Sequence, residues 1–272
     1  MTSPARDTAF RPSLSMLGWA LNEEMNVAEY VQRAHAFLES VSDDYELVLI
    51  DDGSSDRTWA IMGELAASRP WLTPLKNERN RGPGYCYRRG ISAVTKSYFM
   101  AQTVDWAYDI DAFKAHFGEL RRYDILQGMR PGEFSFGTLR SRSDSFYKGV
   151  VSLTNYTLIR VLFRLPFDDF QNVTICPTRL AQPLRLQSEG SFTNPEVMIK
   201  LYWGGASFLQ VPVLFQKRGR GKGTGTRAGA IARSIWDILV SWLLWVVLRQ
   251  YPDRRAGSVR TAPAAIPQGK AH

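Results

Sequence analysis

Val48-Leu49-Ile50-Asp51-Asp52-Gly53-Ser54-Ser55-Asp56-Arg57-Thr58 is the stretch whose reading decides the fold. Glu46–Ile50 is a nearly continuous apolar run, and it stops abruptly at two carboxylates, a glycine and two serines. A strand covered on both faces of a parallel sheet has that composition, whereas a half-solvated strand alternates. Gly53 permits a tight turn, and Ser55 or Asp56 can cap a following helix. That helix is expected from about Thr58 to Ala67, with Trp59, Ile61, Met62 and Leu65 as its apolar positions. Taken alone, the stretch also fits a plain turn with a helix cap.

The flanking sequence extends the pattern in both directions. Upstream, Leu14–Leu21 reads as a strand, Asn22-Glu23-Glu24 as its polar end, and Val27, Val31, Ala34 and Leu38 recur at helical spacing. Downstream come a third strand at Leu72–Lys76 and a turn at Asn80-Arg81-Gly82-Pro83-Gly84. A helix at Tyr85–Val94 and a fourth strand at Ser97–Gln102 complete the series. Alternating strands and helices predict an α/β domain, a mostly parallel sheet flanked by helices and joined by right-handed crossovers. Ligands of such sheets sit at the carboxyl ends of the strands, and the polar punctuation falls there. Further on, a helix is expected at Asp109–Arg121, a strand at Asp124–Met129, a polar loop at Gly132–Ser145 and a helix at Phe146–Phe163. Ala206–Phe215 returns to strand character, and Gly219–Gly229 reads as a basic glycine-rich loop. The expected organisation is a flexible N-terminus (1–10), one main domain (11–226), a C-terminal amphipathic helix (227–250) and a disordered basic tail (251–272).

Composition narrows the class. The chain has 272 residues and two cysteines, Cys86 and Cys176, which form neither a disulfide framework nor a zinc site. Met1–Pro12 carries Arg6, Asp7 and Arg11 without an apolar run, so no signal peptide is read and a cytoplasmic location is expected. The net charge of +8 is concentrated in Lys217–His272, which has 11 Lys/Arg and 2 Asp/Glu, a local net of +9. Such a segment suits phosphate ligands, an anionic membrane or nucleic acid. No helix-turn-helix or aromatic-basic RNA-binding pattern is present, so nucleic acid is not expected as a partner.

Three elements in order carry a resemblance: Ala20-x-Asn22-Glu23-Glu24, Val48 through Thr58 with Asp51 and Asp52, and Asn80-x-Gly82. They resemble the family-2 glycosyltransferases, which implies a GT-A (Rossmann-like) fold and a nucleotide-sugar donor. The implied nucleotide-sugar contacts are Ala20, Asn22, Glu23, Asp51, Asp52 and Thr103, with Arg130 and Lys148 further along. The family's metal-binding Asp-x-Asp falls on Thr103-Val104-Asp105 here, so one carboxylate is left: either Asp105 with the substrate phosphates holds Mg²⁺ or Mn²⁺, or Gln102 and Thr103 donate hydrogen bonds while Arg or Lys balances the charge. The second half resembles the polyprenyl-phosphate sugar transferases, such as dolichyl-phosphate mannosyltransferase. Gly128-Met129-Arg130 matches a G-x-R, and Lys148 with Ser152–Asn155 matches a basic residue and a Ser…Asn pair on a helix. Asp168–Asn172 matches an acceptor loop, Asn194-Pro195-Glu196 an acid before a helix, Gln210-Val211-Pro212-Val213 an E-V-P-I strand, and Arg218–Lys222 an R-x-x-G-K loop.

The implied activity is inverting transfer of a hexose from a UDP- or GDP-sugar to polyprenyl phosphate or another lipid-linked acceptor. The alternatives are transfer to a saccharide or lipid hydroxyl, or a non-catalytic nucleotide-sugar-binding protein. A phosphate monoester has a second pKa of about 6, so it attacks without a general base and needs cations instead. Ser152, Arg218 and Lys222 are the expected acceptor-phosphate contacts. Asp105, Asp169, Arg130 and Glu196 are the catalytic candidates, with Asp169 or Glu196 as base if the acceptor is a hydroxyl. Ile235–Leu248, with Trp236, Trp242 and Trp245 between Arg233 and Arg249, is too short to span a bilayer. It suits an interfacial helix, peripheral on the inner face of the cytoplasmic membrane, or alternatively packing on its own domain or in a homodimer.

Overall fold

The computed structural model describes residues 10–130, 146–170, 173–214, 228–251 and 254–263. The first half alternates as follows: β1 (Leu14–Ala20), α1 (Val27–Val41), β2 (Tyr45–Asp51), α2 (Thr58–Ala66), β3 (Leu72–Lys76), α3 (Pro83–Ala93) and β4 (Tyr98–Ala101). A 3₁₀ helix (Ile110–Arg121), β5 (Ile125–Met129), α4 (Phe146–Phe163), β6 (Thr174–Pro177) and α5 (Thr178–Ala181) follow. The chain continues through α6 (Thr193–Trp203), β7 (Ser207–Pro212), α7 (Ala228–Trp242), a π-helical turn (Leu243–Val247) and β8 (Ser258–Thr261).

One eight-stranded sheet runs in the order β3-β2-β1-β4-β6-β5-β7-β8. β3, β2, β1 and β4 are parallel, with Ala20 opposite Asp51 at the carboxyl edge. β5, β7 and β8 are likewise parallel to one another. β6 is antiparallel to both its neighbours and joins the two halves. Two apolar layers cover the faces. One centres on α1, Met16, Leu49, Phe113 and Phe117, and the other on α3, α6, Ile50, Phe99, Phe208 and Trp245. Gly90 allows α3 to lie against β1, because a Cβ there would stand 2.1 Å from Leu17 Cδ1.

Several sequence expectations are corrected. The helix expected at Asp109–Arg121 is present as a 3₁₀ helix, Ile110–Arg121. Thr174–Pro177 is a strand that the sequence reading left unassigned. The tail 251–272 is not wholly irregular, since Ser258–Thr261 pairs in parallel with Ser207–Gln210. Arg255 N and Gly257 N donate to the carbonyls of Trp203 and Tyr202 (both 2.8 Å), which anchors the approach to β8. An edge strand is held by main-chain bonds, so a Ser-Val-Arg-Thr sequence forms one without any apolar run. The segments 1–9, 131–145, 171–172, 215–227, 252–253 and 264–272 lie outside the described residues, and so does most of the glycine-rich basic loop expected at 219–229.

Cys86 and Cys176 are both buried free thiols. Burial pushes both thiol pKa values up, and the Asp52 carboxylate adds to the effect at Cys86. The thiolate is the reactive species, so neither cysteine should act as a nucleophile in the fold. Ellman's reagent at mildly alkaline pH should therefore leave both thiols unreacted in the native protein and titrate both in guanidinium. Rapid reaction of the native chain would contradict this packing.

Candidate active site

The loops after β1 and β2 are tied together at the carboxyl edge of the sheet. Asn22 N donates to Ser54 Oγ (2.9 Å), and Ser55 N donates to Asn22 Oδ1 (2.9 Å). Asn22 sits at φ +56, a left-handed conformation that asparagine tolerates better than most residues. Glu23 N donates to Thr58 Oγ1 (2.8 Å), and the Thr58 hydroxyl donates to Asp56. Desolvation acts to raise the Asp56 pKa, but the Thr58 hydroxyl and the neighbouring amides outweigh it and hold the carboxyl below its usual range. The Glu23 carboxylate accepts from Asn26 Nδ2 (2.6 Å). Of the two side chains expected to face the nucleotide, that of Asn22 ties the loops together and that of Glu23 is bound to Asn26 within its own loop.

Asp51 and Asp52 are adjacent in sequence and opposite in use. Asp52, 3% exposed, accepts from Asn77 Nδ2 (2.7 Å), Arg81 N (2.9 Å) and Gly82 N (2.8 Å). It holds the turn before α3. Gly53 makes this approach possible, at φ +76 with the backbone of Arg79 where a Cβ would stand. Asp51 ends β2 fully buried, with Oδ1 accepting from Ser54 N (3.3 Å). Its Oδ2 has no hydrogen-bond partner among the described residues. A buried carboxylate oxygen without a donor is costly, and an N–H or O–H donor entering from the rim would satisfy it.

The end of β4 adds the third component. The Thr103 hydroxyl donates to the Asp105 carboxylate, and both are half-buried beside the left-handed Trp106. Among the described residues no three His, Cys, Asp or Glu side chains group to hold a metal. A divalent cation would therefore have Asp105 as its protein carboxylate, with diphosphate oxygens and water completing the shell. Mg²⁺, which keeps several waters, accepts such a donor set.

Three other candidates are engaged elsewhere. Arg130 forks onto Asp169 through Nε–Oδ2 (2.7 Å) and Nη2–Oδ1 (2.9 Å), with Asp169 at 0% exposure. Glu196 pairs with Lys200 (2.6 Å) and accepts from Gln187 N (2.9 Å) and Ser188 N (2.8 Å), also at 0% exposure. Asp169 and Glu196, the two candidate bases, are each buried against a cation. Arg130, expected on the diphosphate, faces Asp169. Ser152 is half-buried on α4, and Lys148 lies on the same helix with its side chain outside the described set. Arg218 and Lys222 also lie outside the described residues.

Next to the β4 end lies a cavity of about 230 Å³. Trp19, Tyr87, Tyr108, Pro83 and Val173 give it a largely apolar lining, and Gln102, Thr103, Thr174, Thr193 and Asn194 supply its polar groups. Gln102 Oε1 and Thr174 Oγ1 are buried without hydrogen-bond partners among the described residues. One wall exists because Gly84 has no side chain, since a Cβ there would meet the Glu189 carbonyl oxygen at 2.2 Å. Apolar faces with a few unsatisfied polar atoms suit a ring that carries hydroxyls. Trp19, Tyr87 and Thr174 were not singled out from sequence. They come from three separate elements and carry no local motif.

The profile of Glycosyl transferase family 2 matches residues 20–181, and the chain belongs to this family. It is 28% identical over 172 residues to a prophage bactoprenol glucosyl transferase homolog of Escherichia coli (strain K12), covering 61% of this chain and 56% of that one. A dolichyl-phosphate beta-glucosyltransferase of Dictyostelium discoideum is 30% identical over 107 residues, 37% of this chain and 33% of its own length. The chain thus spans about half the length, or less, of these relatives. Among solved structures, glucosyl-3-phosphoglycerate synthase from Mycobacterium tuberculosis with Mn²⁺, UDP and phosphoglyceric acid superposes with a TM-score of 0.58 at 16% identity, covering 87% of this chain and 80% of that one. A Pyrobaculum calidifontis mannosyltransferase with GDP-Man and Mn²⁺ gives 0.51 at 14% identity, covering 92% and 79%. The fold is therefore GT-A.

The two adjacent aspartates should separate on mutation. Asp52→Ala strands three donors, the buried Asn77 amide among them, and should cost about 3 kcal/mol in urea unfolding. Asp51→Ala should stay within about 1 kcal/mol of the parent and lose nucleotide affinity in calorimetric titration. Equal destabilisation by both would contradict this division. Arg130→Ala takes the guanidinium away from the buried Asp169 carboxylate, at a cost of about 4 kcal/mol, and exchanging both partners for Met and Leu should recover most of it.

Proposed function

We propose that this protein is an inverting hexosyltransferase that moves a sugar from a UDP- or GDP-sugar to a polyprenyl phosphate at an anionic membrane surface. One observation carries the choice of acceptor: the two carboxylates considered as bases, Asp169 and Glu196, are buried and bound to Arg130 and Lys200. A hydroxyl acceptor must lose its proton in the transition state and needs a base. A phosphate monoester, with its second pKa of about 6, is already a nucleophile. The names of the relatives, bactoprenol and dolichyl-phosphate glucosyl transferases, favour the same acceptor class.

In this reading Asp51 Oδ2 accepts a hydrogen bond from the base or ribose of the donor, and Ala20 flanks it across the β1–β2 pair. The sugar occupies the cavity under Trp19 and Tyr87, where Gln102 and Thr174 accept or exchange hydroxyl hydrogen bonds. Thr103 orients the Asp105 carboxylate toward the diphosphate. A divalent cation held on Asp105, when bound, neutralises the departing nucleoside diphosphate. Lys148, Ser152, Arg218 and Lys222 are assigned to the acceptor phosphate. The acceptor oxygen forms a bond to the anomeric carbon as the bond to the diphosphate oxygen breaks, in line and with inversion. Binding both partners in that alignment supplies most of the rate.

Among the described residues no helix is long and apolar enough to cross a membrane. The exposed apolar residues of α7, together with the basic C-terminal segment, support a peripheral seat on the inner face of the cytoplasmic membrane, whose leaflet is anionic.

The test is a transfer assay with labelled UDP-glucose and GDP-mannose, undecaprenyl phosphate in detergent, and Mn²⁺ or EDTA. Labelled lipid product is expected with one donor. The rate should fall below about pH 6, following protonation of the acceptor. Asp105→Ala should lower turnover by roughly 10²-fold. Turnover with saccharide hydroxyls but not with the lipid phosphate would overturn the acceptor assignment, and binding of every donor without turnover would overturn the transferase.

A further inference from the structure

The C-terminal helix has two faces with different partners. Its inner face reaches the loop that walls the cavity. Asp237 Oδ2 accepts from Ser188 Oγ (3.0 Å), and Ser234 Oγ meets Ser191 Oγ (3.1 Å). Ser234 is 2% exposed and Ile238 0% exposed. Two turns on, in the π-helical turn, Trp245 is fully buried and stacked on Phe192 (6.2 Å between centroids), with Lys200 Nζ 4.5 Å from its ring. The segment held in this way, 188–194, contributes Gly190, Ser191, Thr193 and Asn194 to the cavity. The Thr193 hydroxyl is shared between the carbonyls of Ser188 (3.0 Å) and Gly190 (2.9 Å), which ties the two ends of the segment together.

The outer face has no protein partner among the described residues. Trp236 (68% exposed), Leu239 (43%), Leu243 (46%), Val247 (48%) and Leu248 (60%) follow one another at helical spacing. Arg233 and Arg249 are exposed at the two ends of the stripe, and the acid within it, Asp237, turns inward to Ser188. An apolar stripe bracketed by cations, beginning in a tryptophan and too short to span a bilayer, matches an anionic lipid surface. A second copy of the chain would bring the same arginines against each other.

We propose that α7 is a membrane-responsive strut. Seating Trp236, Leu239, Leu243 and Val247 in anionic lipid fixes the helix, and Asp237 and Ser234 pass that constraint to 188–194, so the cavity is ordered at the membrane. The proposal rests on the membrane reading above and adds a regulatory link to it. Asp237 is a positioning residue that acts through Ser188 and touches no reactant in this scheme.

The experiment is hydrogen–deuterium exchange of the full chain, with cosedimentation, using vesicles of phosphatidylcholine alone or mixed with phosphatidylglycerol. The parent should bind the anionic vesicles only, and exchange of the 188–194 amides should slow several-fold on binding. Asp237→Ala should bind equally and show no slowing, while Asp237→Asn, which keeps an acceptor oxygen, should restore the response. Trp236→Asp should lose binding and slowing together. Vesicle binding without slowing in the parent, or the same slowing in Asp237→Ala, would overturn the strut and leave the membrane reading intact. Failure to bind vesicles, with a dimer in sedimentation that Trp236→Asp dissociates, would overturn both.

Discussion

Everything at the carboxyl edge of the sheet depends on how the buried Asp52 carboxylate is satisfied. A carboxylate at 3% exposure destabilises a fold unless donors surround it, and three are supplied by the turn at Asn77–Gly82. That arrangement fixes the entry to α3, and α3 in turn places Pro83, Gly84 and Tyr87 on one wall of the cavity. The loops after β1 and β2 are closed over the same point by Asn22, Ser54, Ser55 and Thr58. At the end of β2 itself, the buried Asp51 Oδ2 is left without a donor among the described residues.

The same logic separates structure from chemistry in the second half. Asp169 and Glu196 look like acids placed for catalysis, yet each completes a buried pair that joins distant parts of the chain. Arg130–Asp169 links the end of β5 to the segment before β6, and Glu196–Lys200 closes on the amides of Gln187 and Ser188. Breaking such a pair leaves an uncompensated buried charge, so these pairs are strong determinants of local geometry. Gln210 makes a related contact, exchanging hydrogen bonds with Asp168 N (2.8 Å) and Oδ2 (2.9 Å). A glutamate there would set two carboxylates against each other, which gives the Gln in the Gln210–Val213 strand a physical reason.

The β1-to-β4 half was legible because each strand is an apolar run that ends in polar residues, and because the helices keep their period. β6 and β8 were not, since four residues held by main-chain bonds need no particular composition. The acidic positions of the site were legible as a set, but their division of labour was not. Asp51 and Asp52 are neighbours in one motif, and only the donors reaching Asp52 from residues 77–82 distinguish them. The Glu196–Lys200 pairing was in principle readable from its four-residue spacing on a helix. Arg130–Asp169 spans 39 positions and required the fold. The cavity lining was hidden for the same reason, with Trp19, Tyr87 and Thr174 converging from β1, α3 and β6.

The most direct measurement is a crystal of this chain soaked with UDP and, separately, GDP. The account predicts nucleotide density at the carboxyl ends of β1 and β2, with a base or ribose donor within hydrogen-bond reach of Asp51 Oδ2 and the diphosphate beside Asp105. Ordered nucleotide at another surface, with Asp51 still sealed behind Asn22 and Ser54, would contradict it.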